Sequence, residues 1–535
     1  MNTVVHLNKK TSQDINDISI PILQHVIAYI HKPLTHIFNL SIDLGIFPEN
    51  MKVSKVLPLY KKSGSQFDLN NYRGISIINA FSKILEKLMS DRLFIFLFRS
   101  NFFYDKQFGF LLGRSTNQAI LDVINFVSNI INDGKMALCL CLDIRKAFDA
   151  IPHSILFKKL ENAGIRGNYL DWFKSYLSNR SQKVKLNNIF STLFPLGEVG
   201  VLQGSILGVL LFLIFINDIG YVSQNLYSVL FADDINSLIM GNNIQEIIEF
   251  SNLEIKKLVS WYNSNKLSIN SSKSKCMLFK HKFLNYLNLE IVDDFPVLPI
   301  YIDMNNQGEN DPQKISRITM VPNKKEDTIR VLGVYLDQNL SMSPHMNIVR
   351  TRAAKGLHSL NSMKHILDKD RLKMIYFAHV HSHLSYCINT FCLMNQTTIK
   401  PLILLQKKAI RLICGAEFRA HTLPLFIKEQ ILPLEKLIDY HIALFMFDYV
   451  NCTLPETFFG TWELNWQRSG NFNSRRALDF FQVHIRYQYL FSHPLFKFPK
   501  IWNGLDNTHK NQESRYVFAN DVKQFLFSKA IQENS

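Results

Sequence analysis

The chain has 535 residues, with 60 Lys and Arg against 44 Asp and Glu, and a formal net charge of +16 at pH 7. Hydrophobic residues make up 47% of it and charged residues 19%, which excludes general disorder and allows a sizeable buried core. The excess of positive charge indicates a polyanionic partner, with nucleic acid first and a membrane surface second.

Cysteine usage and the length of the apolar runs indicate the compartment in which the protein is located. The seven cysteines are widely spread without a C-x-x-C pair, so we expect a reducing compartment rather than a disulfide framework. The first twenty residues carry Asp14 and Asp17, unlike a signal or transit peptide. The apolar run 206–216 is shorter than the roughly 20 residues of a membrane-spanning helix. We predict a buried core segment there, in a soluble intracellular protein that is not secreted.

The first hundred residues alternate between helical and extended patterns. Residues 20–50 are predicted to be helical, and residues 55–62 a short strand. Residues 63–74 are polar and contain Gly, which predicts a loop. From Ile77 onwards apolar residues recur at helical spacing.

Two apolar runs in the middle of the chain carry acidic residues. Residues 137–142 form a continuous apolar run that ends on Asp143, a pattern typical of a strand buried on both faces. Residues 228–240 form a second apolar run, with Asp233 and Asp234 inside it.

The second half of the chain is predicted to be mostly helical. Residues 244–262 have the spacing of an amphipathic helix, and 266–270 and 275–279 are predicted strands. Residues 303–327 are polar with Gly and Pro, which indicates a surface insertion or linker. Residues 328–337 follow as a strand pair, and helical patterns dominate thereafter.

Asp143, Asp233 and Asp234 are the candidate catalytic acids. Unpaired charges beside buried strands are costly, and adjacent like charges more so. Bound Mg²⁺ would relieve both penalties, and one acid from a strand and one from a neighbouring hairpin could bridge two ions about 3.5–4 Å apart. The alternative is that Asp233–Asp234 forms a polar hairpin turn and Asp143 caps the following helix.

The blocks around these acids resemble a known family. The chain resembles the reverse transcriptases of non-LTR retrotransposons, the jockey-like LINE class, over about residues 20–345. The blocks that carry this resemblance, in order, are PLYKKSG (58–64), NYRGIS (71–76), QFGFLLGRST (107–116), LDIRKAFDAI (142–151), GVLQGSILGVLLF (200–212), FADD (231–234), LSINSSKS (267–274) and VLGVYLD (331–337). A weaker resemblance continues in 404–415, 419–426 and 498–506.

The resemblance implies an α+β fold, the right-hand polymerase with fingers, a palm built on an antiparallel sheet, a helical thumb and a mostly helical C-terminal extension. It divides the chain into 1–50, an N-terminal helical extension of the fingers, and 51–280, the fingers and palm. Residues 281–340 would be the polar insertion and palm–thumb strands, 341–420 a basic thumb, and 421–535 the C-terminal extension.

The function implied is that of an RNA-directed DNA polymerase with two Mg²⁺ ions, for which Mn²⁺ could substitute. It would extend a DNA 3′-end on an RNA template from deoxynucleoside triphosphates, as a ribonucleoprotein with the element RNA, in the nucleus and cytoplasm. The alternative is a catalytically inactive nucleic-acid-binding relic. Gly74, Leu202 and Val209 stand where the family usually has Pro. Because such elements usually encode an endonuclease upstream, we expect a longer reading frame.

Site residues follow from the matched blocks. Asp143, Asp233 and Asp234, with the backbone carbonyl of Ile144, are implied metal ligands. Phe148 stands where the family has an aromatic gate that excludes a nucleotide 2′-hydroxyl. The alternative for Phe148 is an ordinary core residue.

Four further residues are implied to bind the nucleotide. Arg73 would hold the triphosphate, because a guanidinium matches phosphate oxygens bidentately. Gln203 and Gly204 would lie against nucleotide and template, where Gly lets the backbone approach closely. Lys273 could protonate the pyrophosphate leaving group. The alternatives are a solvated loop arginine for Arg73 and an exposed lysine on a turn for Lys273.

The segment 341–420 is strongly basic, with 12 Lys and Arg against 3 Asp and Glu. Its position behind the palm predicts a template–primer grip, whose phosphate contacts would make binding salt-dependent. The alternative is a solvated helix face. The residues of the predicted grip are Arg350, Arg352, Lys355, Lys407, Lys408 and Arg411.

Overall fold

A computed structural model of the chain describes most of its residues. Residues outside the description are 8, 10, 63, 271–272, 281–289, 293–294, 298–300, 304–314, 318, 321–327, 471, 473, 475, 486–490 and 534–535. Within 281–327 the structure describes only the backbone of the remaining residues. Everywhere else it describes the side chains of all residues except those just given. Across the described ranges, no helix is both long and apolar enough to span a bilayer.

The described part mixes helices and strands, which confirms the α+β prediction. Its strands are β1 (Val53–Tyr60), β2 (Tyr72–Ile77), β3 (Met136–Leu142), β4 (Ser181–Leu186), β5 (Ile189–Phe190), β6 (Phe194–Pro195), β7 (Tyr227–Phe231), β8 (Asp234–Gly241), β9 (Lys275–Phe279), β10 (Glu290–Val292), β11 (Phe295–Val297), β12 (Tyr301–Asp303), β13 (Ile315–Arg317), β14 (Thr319–Met320), β15 (Ile329–Val331) and β16 (Val334–Leu336). Its helices are α1 (Asn2–Val5), α2 (Ile20–Asp43), α3 (Ala80–Arg99), α4 (Thr116–Asn132), α5 (His153–Asn162), α6 (Asn168–Leu177), α7 (Ile206–Ile216), α8 (Ile244–Ser264), α9 (Ser343–Met363), α10 (Lys369–Tyr376), α11 (Ser382–Ser385), α12 (Gln396–Cys414), α13 (Leu423–Lys428), α14 (Leu434–Val450), α15 (Asn465–Ser469), α16 (Pro494–Asn503), α17 (Asn507–Lys510) and α18 (Arg515–Gln532).

A central sheet of order β14-β9-β3-β8-β7 has β3 in its middle. Strand β3 pairs antiparallel with both β8 and β9, while β14 pairs parallel with β9. Successive β3 side chains point to opposite faces. Leu138 and Leu140 therefore enter one hydrophobic core, and Ala137 and Cys139 enter another. The prediction of a strand buried on both faces is confirmed.

Two hydrophobic cores cover the faces of the central sheet. One contains buried residues of α2, α3 and α5 to α8, including the apolar run 206–216, which is the buried helix α7. The other contains buried residues of α4, α9, α12, α14, α16 and α18. Because one core runs from the central sheet into the C-terminal helices, these segments depend on each other for burial.

A smaller side sheet stands beside the central one, in the order β2-β1-β4-β5 with β6 paired to β4. Strand β1 pairs antiparallel with β2 and parallel with β4. Leu59 lies opposite Arg73 in this register, so the β1–β2 pair presents the candidate phosphate-binding arginine.

Some predicted elements differ from those formed. Residues 266–270 make only an isolated bridge, Ile144 to Ile269, instead of a strand, because their backbone pairs with the irregular segment that follows β3. The predicted insertion 303–327 lies largely outside the described residues; its described part includes β13 and β14. The strand pair at 328–337 is confirmed by β15 and β16.

Candidate catalytic site

The acids Asp233 and Asp234 lie at the turn of the β7–β8 hairpin. Phe231 pairs with Asp234, so Ala232 and Asp233 form the turn. The prediction that both acids lie inside a strand is therefore wrong for Asp233, whereas Asp234 is the first residue of β8. The backbone folds back at Ala232, whose φ of 55° is uncommon for a residue with a Cβ atom. The turn leaves both acidic side chains exposed.

Asp143 lies beside these acids on the neighbouring strand. The β3–β8 register pairs Leu142 with Ile235, which puts the next residue, Asp143, next to Asp234. The Asp143 amide donates to the Ser274 hydroxyl at 3.2 Å, and its carbonyl accepts from the Asn270 amide at 2.8 Å. The LSINSSKS block therefore supports the backbone of Asp143.

The alternative that Asp143 caps a helix is wrong. The next helix is a 3-10 turn, Ala147–Ala150, whose N-cap residue is Lys146 and has no side-chain capping bond. The hairpin-turn half of that alternative is correct, since Asp233 is a turn residue. Position in a turn and a role in catalysis do not exclude each other.

Burial and neighbouring negative charge raise the pKa of Asp233 and of Asp234. Desolvation by the surrounding protein, then the charges of Asp233 and Asp143, raise the pKa of Asp234 to about 6. Desolvation and the charge of Asp143 also raise the pKa of Asp233, while Arg73 opposes the rise. The three carboxylates are therefore close enough to repel one another, and a cation bound among them would relieve that repulsion.

The donor set fits a hard divalent cation, because all three side chains offer carboxylate oxygens. In the described part of the chain, however, no three His, Cys, Asp or Glu side chains lie close enough together to hold an ion. Since catalytic geometry often tightens only on binding, these carboxylates would have to approach one another around a metal.

A cavity of about 650 Å³ adjoins Asp234 and brings Arg330 and Arg352 to the site. Arg330 is exposed on β15, and its charge lowers the pKa of Asp234. Sequence reasoning missed Arg330, although a basic residue directly before the VLGVYLD block was a usable signal. Arg352 reaches the same cavity from α9.

Phe148 has contacts that suit both predicted roles. Its ring stacks on Phe212 of α7, with centroids 4.5 Å apart, and is half-buried. Its carbonyl accepts from the Val201 amide at 2.8 Å, which joins it to the VLQGS segment. Phe148 therefore packs partly as a core residue while lying beside the predicted nucleotide segment.

Gly204 was predicted to let the backbone approach the nucleotide and template. In the structure, the close neighbour of Gly204 is the backbone of Ser76. Gly204 has a φ of 117°, and a Cβ atom there would lie 2.6 Å from the Ser76 carbonyl oxygen. The Ser76 amide donates to the Gln203 carbonyl at 2.9 Å. Both contacts fix the VLQGS segment against β2, the strand that carries Arg73.

A buried acid missed by sequence reasoning supports the same segment. Glu86 of α3 is fully buried and accepts from the Ile206 amide at 3.0 Å and the Tyr176 hydroxyl at 3.0 Å. Burial raises the pKa of Glu86, and the nearby Arg180 opposes the rise. Its position within the apolar helix pattern of residues 80–99 was the available signal.

Arg73 and Lys273 occupy exposed positions near the acids. Arg73 is exposed on β2 and close enough to Asp233 to lower the pKa of that acid. Lys273 is exposed in a turn, and its amide donates to the Asn270 carbonyl at 3.1 Å. Lys273 therefore belongs to the segment that holds Asp143.

The residues of the predicted grip have different surroundings. Arg350 lines a separate cavity of about 120 Å³, whereas Arg352 lines the cavity of Asp234. The Arg411 guanidinium donates to the Ala420 carbonyl at 2.9 Å, so it also serves the local backbone. Lys355 and Lys408 are exposed and Lys407 is half-buried.

Comparison with known proteins shows the family of the chain. Residues 60–336 match the family model described as reverse transcriptase (RNA-dependent DNA polymerase), and the chain belongs to that family. It is similar to the probable RNA-directed DNA polymerase from transposon X-element of Drosophila melanogaster, with 26% identity over 72% of this chain and 40% of that protein. It is also similar to the RNA-directed DNA polymerase from mobile element jockey of Drosophila funebris, with 25% identity over 73% and 40%.

These relatives confirm the predicted resemblance to reverse transcriptases of non-LTR, jockey-like retrotransposons. A third relative, the probable RNA-directed DNA polymerase from transposon BS of Drosophila melanogaster, is 23% identical over 77% of this chain and 43% of its own length. The chain thus spans about two fifths of the length of the curated relatives it matches.

Proposed function

We propose that this chain is an active RNA-directed DNA polymerase that extends a DNA 3′-end on an RNA template. The observation that carries the proposal is the placement of Asp143 beside Asp233 and Asp234, at one end of β3 and β8. Three mutually repelling carboxylates next to an open cavity are costly without a cation, and nucleotidyl transfer supplies a reason to keep them.

Asp143, Asp233 and Asp234, with the carbonyl of Ile144, would hold two Mg²⁺ ions, or Mn²⁺ in their place. When bound, the ions supply charge neutralisation at the attacking primer hydroxyl and at the leaving pyrophosphate. The chain's own part is positioning: the β7–β8 turn and the LSINSSKS segment set where the carboxylates stand before any substrate arrives.

The nucleotide would lie between β2, the VLQGS segment and Phe148. Arg73 is proposed to bind the triphosphate, and Gln203 with Gly204 to face the nucleotide and template. Phe148 would exclude the 2′-hydroxyl, and Lys273 would give a proton to the pyrophosphate. The support for this arrangement is that the Gln203 carbonyl is bonded to Ser76 of β2, the strand that carries Arg73, and that Phe148 is bonded to Val201.

We assign the central sheet to a palm, the side sheet to fingers and α9 to α12 to a thumb, with the boundaries 1–50, 51–280, 281–340, 341–420 and 421–535. RNA template, DNA primer and deoxynucleoside triphosphates would be the partners, within a ribonucleoprotein that contains the element RNA. We place this activity in the nucleus and cytoplasm. Arg330, which lines the same cavity as Asp234, is proposed to face the primer.

Primer extension on an RNA template with Mg²⁺ tests the polymerase proposal. Asp233→Asn should reduce extension by about 10³-fold, because metal neutralisation is worth several kcal/mol in the transition state. Asp171→Asn is the matched control, since Asp171 is an exposed acid paired with Lys174 on α6. Equal product from the wild type and Asp233→Asn would contradict the proposal. No product from the wild type, with RNA binding retained, would favour the inactive relic.

A further inference from the structure

The Ala232–Asp233 turn is held from outside its own hairpin. Residues 106–108 run parallel to β7: the Leu230 amide donates to the Lys106 carbonyl at 2.9 Å, and the Phe108 amide donates to the Leu230 carbonyl at 2.7 Å. The QFGFLLGRST block therefore adds a short edge to the hairpin at the end where the acids lie.

Gln107 reaches the turn itself. Its side chain is 1% exposed, and its Oε1 accepts from the Ala232 amide at 3.0 Å and from the Gly109 amide at 2.9 Å. Its Nε2 has no hydrogen-bond partner among the described residues. The oxygen alone thus accounts for the hydrogen bonds of this side chain to the described residues.

Gly109 lies against the same turn. A Cβ atom at Gly109 would lie 2.4 Å from the Ala232 nitrogen and 2.9 Å from the Phe231 carbonyl carbon, distances that side chains do not tolerate. Ala232 has the left-handed φ of 55°, which costs free energy and persists only when the surroundings impose it. Gln107 and Gly109 supply those surroundings.

Arg114 fixes the loop that carries Gln107. Its Nη1 donates to the carbonyls of Gln107, at 2.8 Å, and of Tyr104, at 3.3 Å, and also to the Asp105 carbonyl. The loop that carries Gln107 is therefore tied to the start of the next helix, since Arg114 comes just before α4.

We propose that Gln107 and Gly109 are positioning residues that hold the Ala232–Asp233 turn, and with it the carboxylates of Asp233 and Asp234, in the arrangement used for metal binding. The role in metal binding rests on the proposed polymerase function, whereas the hold on the turn does not. Gln107 touches neither metal nor substrate; it acts through the Ala232 amide.

Two measurements on the full chain test this role: hydrogen exchange of the segment 229–236, and binding of Mn²⁺ alone, without nucleic acid. Gln107→Met keeps the volume but removes the acceptor, so exchange in the turn should become about tenfold faster, and Mn²⁺ affinity should fall several-fold. Gly109→Ala should speed exchange although the acceptor remains.

Gln406→Met is the matched control. Gln406 is also 1% exposed, and it bonds the Tyr376 hydroxyl, the Leu432 carbonyl and the Leu434 amide. This variant should lower thermal stability while leaving exchange at 229–236 and Mn²⁺ affinity unchanged. A general loss of stability is thereby separated from a loss of positioning.

Unchanged exchange in Gln107→Met, or exchange at 229–236 that is accelerated equally in Gln406→Met, would overturn the proposal. Faster exchange with unaltered Mn²⁺ affinity would overturn the link to the carboxylates. If the wild type neither binds Mn²⁺ nor extends a primer, the polymerase function fails, and the exchange data alone decide whether Gln107 holds the turn.

Discussion

Phe148 illustrates how one side chain can have a structural and a selective face. One face of its ring is covered by Phe212, and the residue as a whole is half-buried. Its backbone is bonded to Val201, next to the VLQGS segment. Removing the ring therefore opens space at the proposed sugar position without removing a fully buried residue.

For Phe148→Ala, we expect the preference for deoxynucleotides over ribonucleotides to fall about 10²-fold, the scale on which an apolar pocket rejects an added hydroxyl. The measurement is the ratio of kcat/KM values for the two nucleotides on one RNA template. Phe126→Ala is the control, because Phe126 is also half-buried and stacked, on Tyr227. If Phe148→Ala discriminates between the two sugars as the wild type does, Phe148 is a core residue and does not exclude the 2′-hydroxyl.

At the scale of elements, α9 and its neighbours show which positive charges are available. Lys369 and Lys373 both pair with the buried Glu429, so they stabilise the fold. Arg352 and Lys355 are exposed one turn apart on α9 and form no ion pair with a described residue. The charge excess of 341–420 is therefore divided between structural pairs and cations free to meet phosphate.

For the double variant Arg352→Gln/Lys355→Gln, we expect weaker binding of an RNA–DNA duplex and a smaller salt dependence. The slope of log K against log salt should fall by about 2, about one per lost phosphate contact. Lys87→Gln/Arg371→Gln removes the same charge from exposed cations already paired within their helices, and should leave the slope nearly unchanged. An equal effect of both double variants would indicate general electrostatics instead of a grip.

At the scale of the whole molecule, a buried acid joins the central sheet to the C-terminal half. The Asp122 carboxylate on α4 accepts from the Tyr227 hydroxyl at 2.8 Å and from the Thr457 hydroxyl at 3.0 Å. Burial raises the pKa of Asp122 to about 6, although these hydroxyls and Lys106 oppose the rise. The junction is therefore most stable with Asp122 protonated.

This junction predicts a pH-dependent stability. Because the folded state binds the Asp122 proton more tightly than the unfolded state, its contribution is present below about pH 4 and is lost as the pH rises to about 6. The loss is on the order of 2 to 3 kcal/mol for a shift of about two pKa units. The stability of Asp122→Asn relative to wild type should increase over that window and stay constant above it.

Thermal unfolding at a series of pH values measures this difference. Asp133→Asn serves as the control, because Asp133 is exposed at the C-terminal end of the same helix, and its difference from wild type should not follow the Asp122 window. A difference for Asp122→Asn that is constant from pH 4 to pH 8 would show that Asp122 does not titrate in this way.

The sequence by itself identified the three candidate acids and the apolar strands at whose ends they lie. Asp143 ends a run of apolar residues, and Asp233–Asp234 interrupts another, and both signals are local: burial follows from the residues next in the chain. The same local periodicity predicted α2 and α8, whereas the apolar run 206–216 predicted only a buried segment, which the structure shows to be α7. Where backbone pairing depended on a distant segment, as at 266–270, the prediction was wrong.

Only the tertiary structure decided what holds those acids in place. In the fold, Gln107 bonds the Ala232 amide and Glu86 bonds the Ile206 amide. Arg330 lines the same cavity as Asp234. Each of these residues lies far along the chain from the partner it meets. A polar side chain in an apolar pattern reveals that it needs a partner, but not which one, because the partner depends on how distant elements pack. For the same reason, the basic composition of 341–420 predicted an interaction with phosphate, whereas packing decided that Lys369 and Lys373 pair with Glu429.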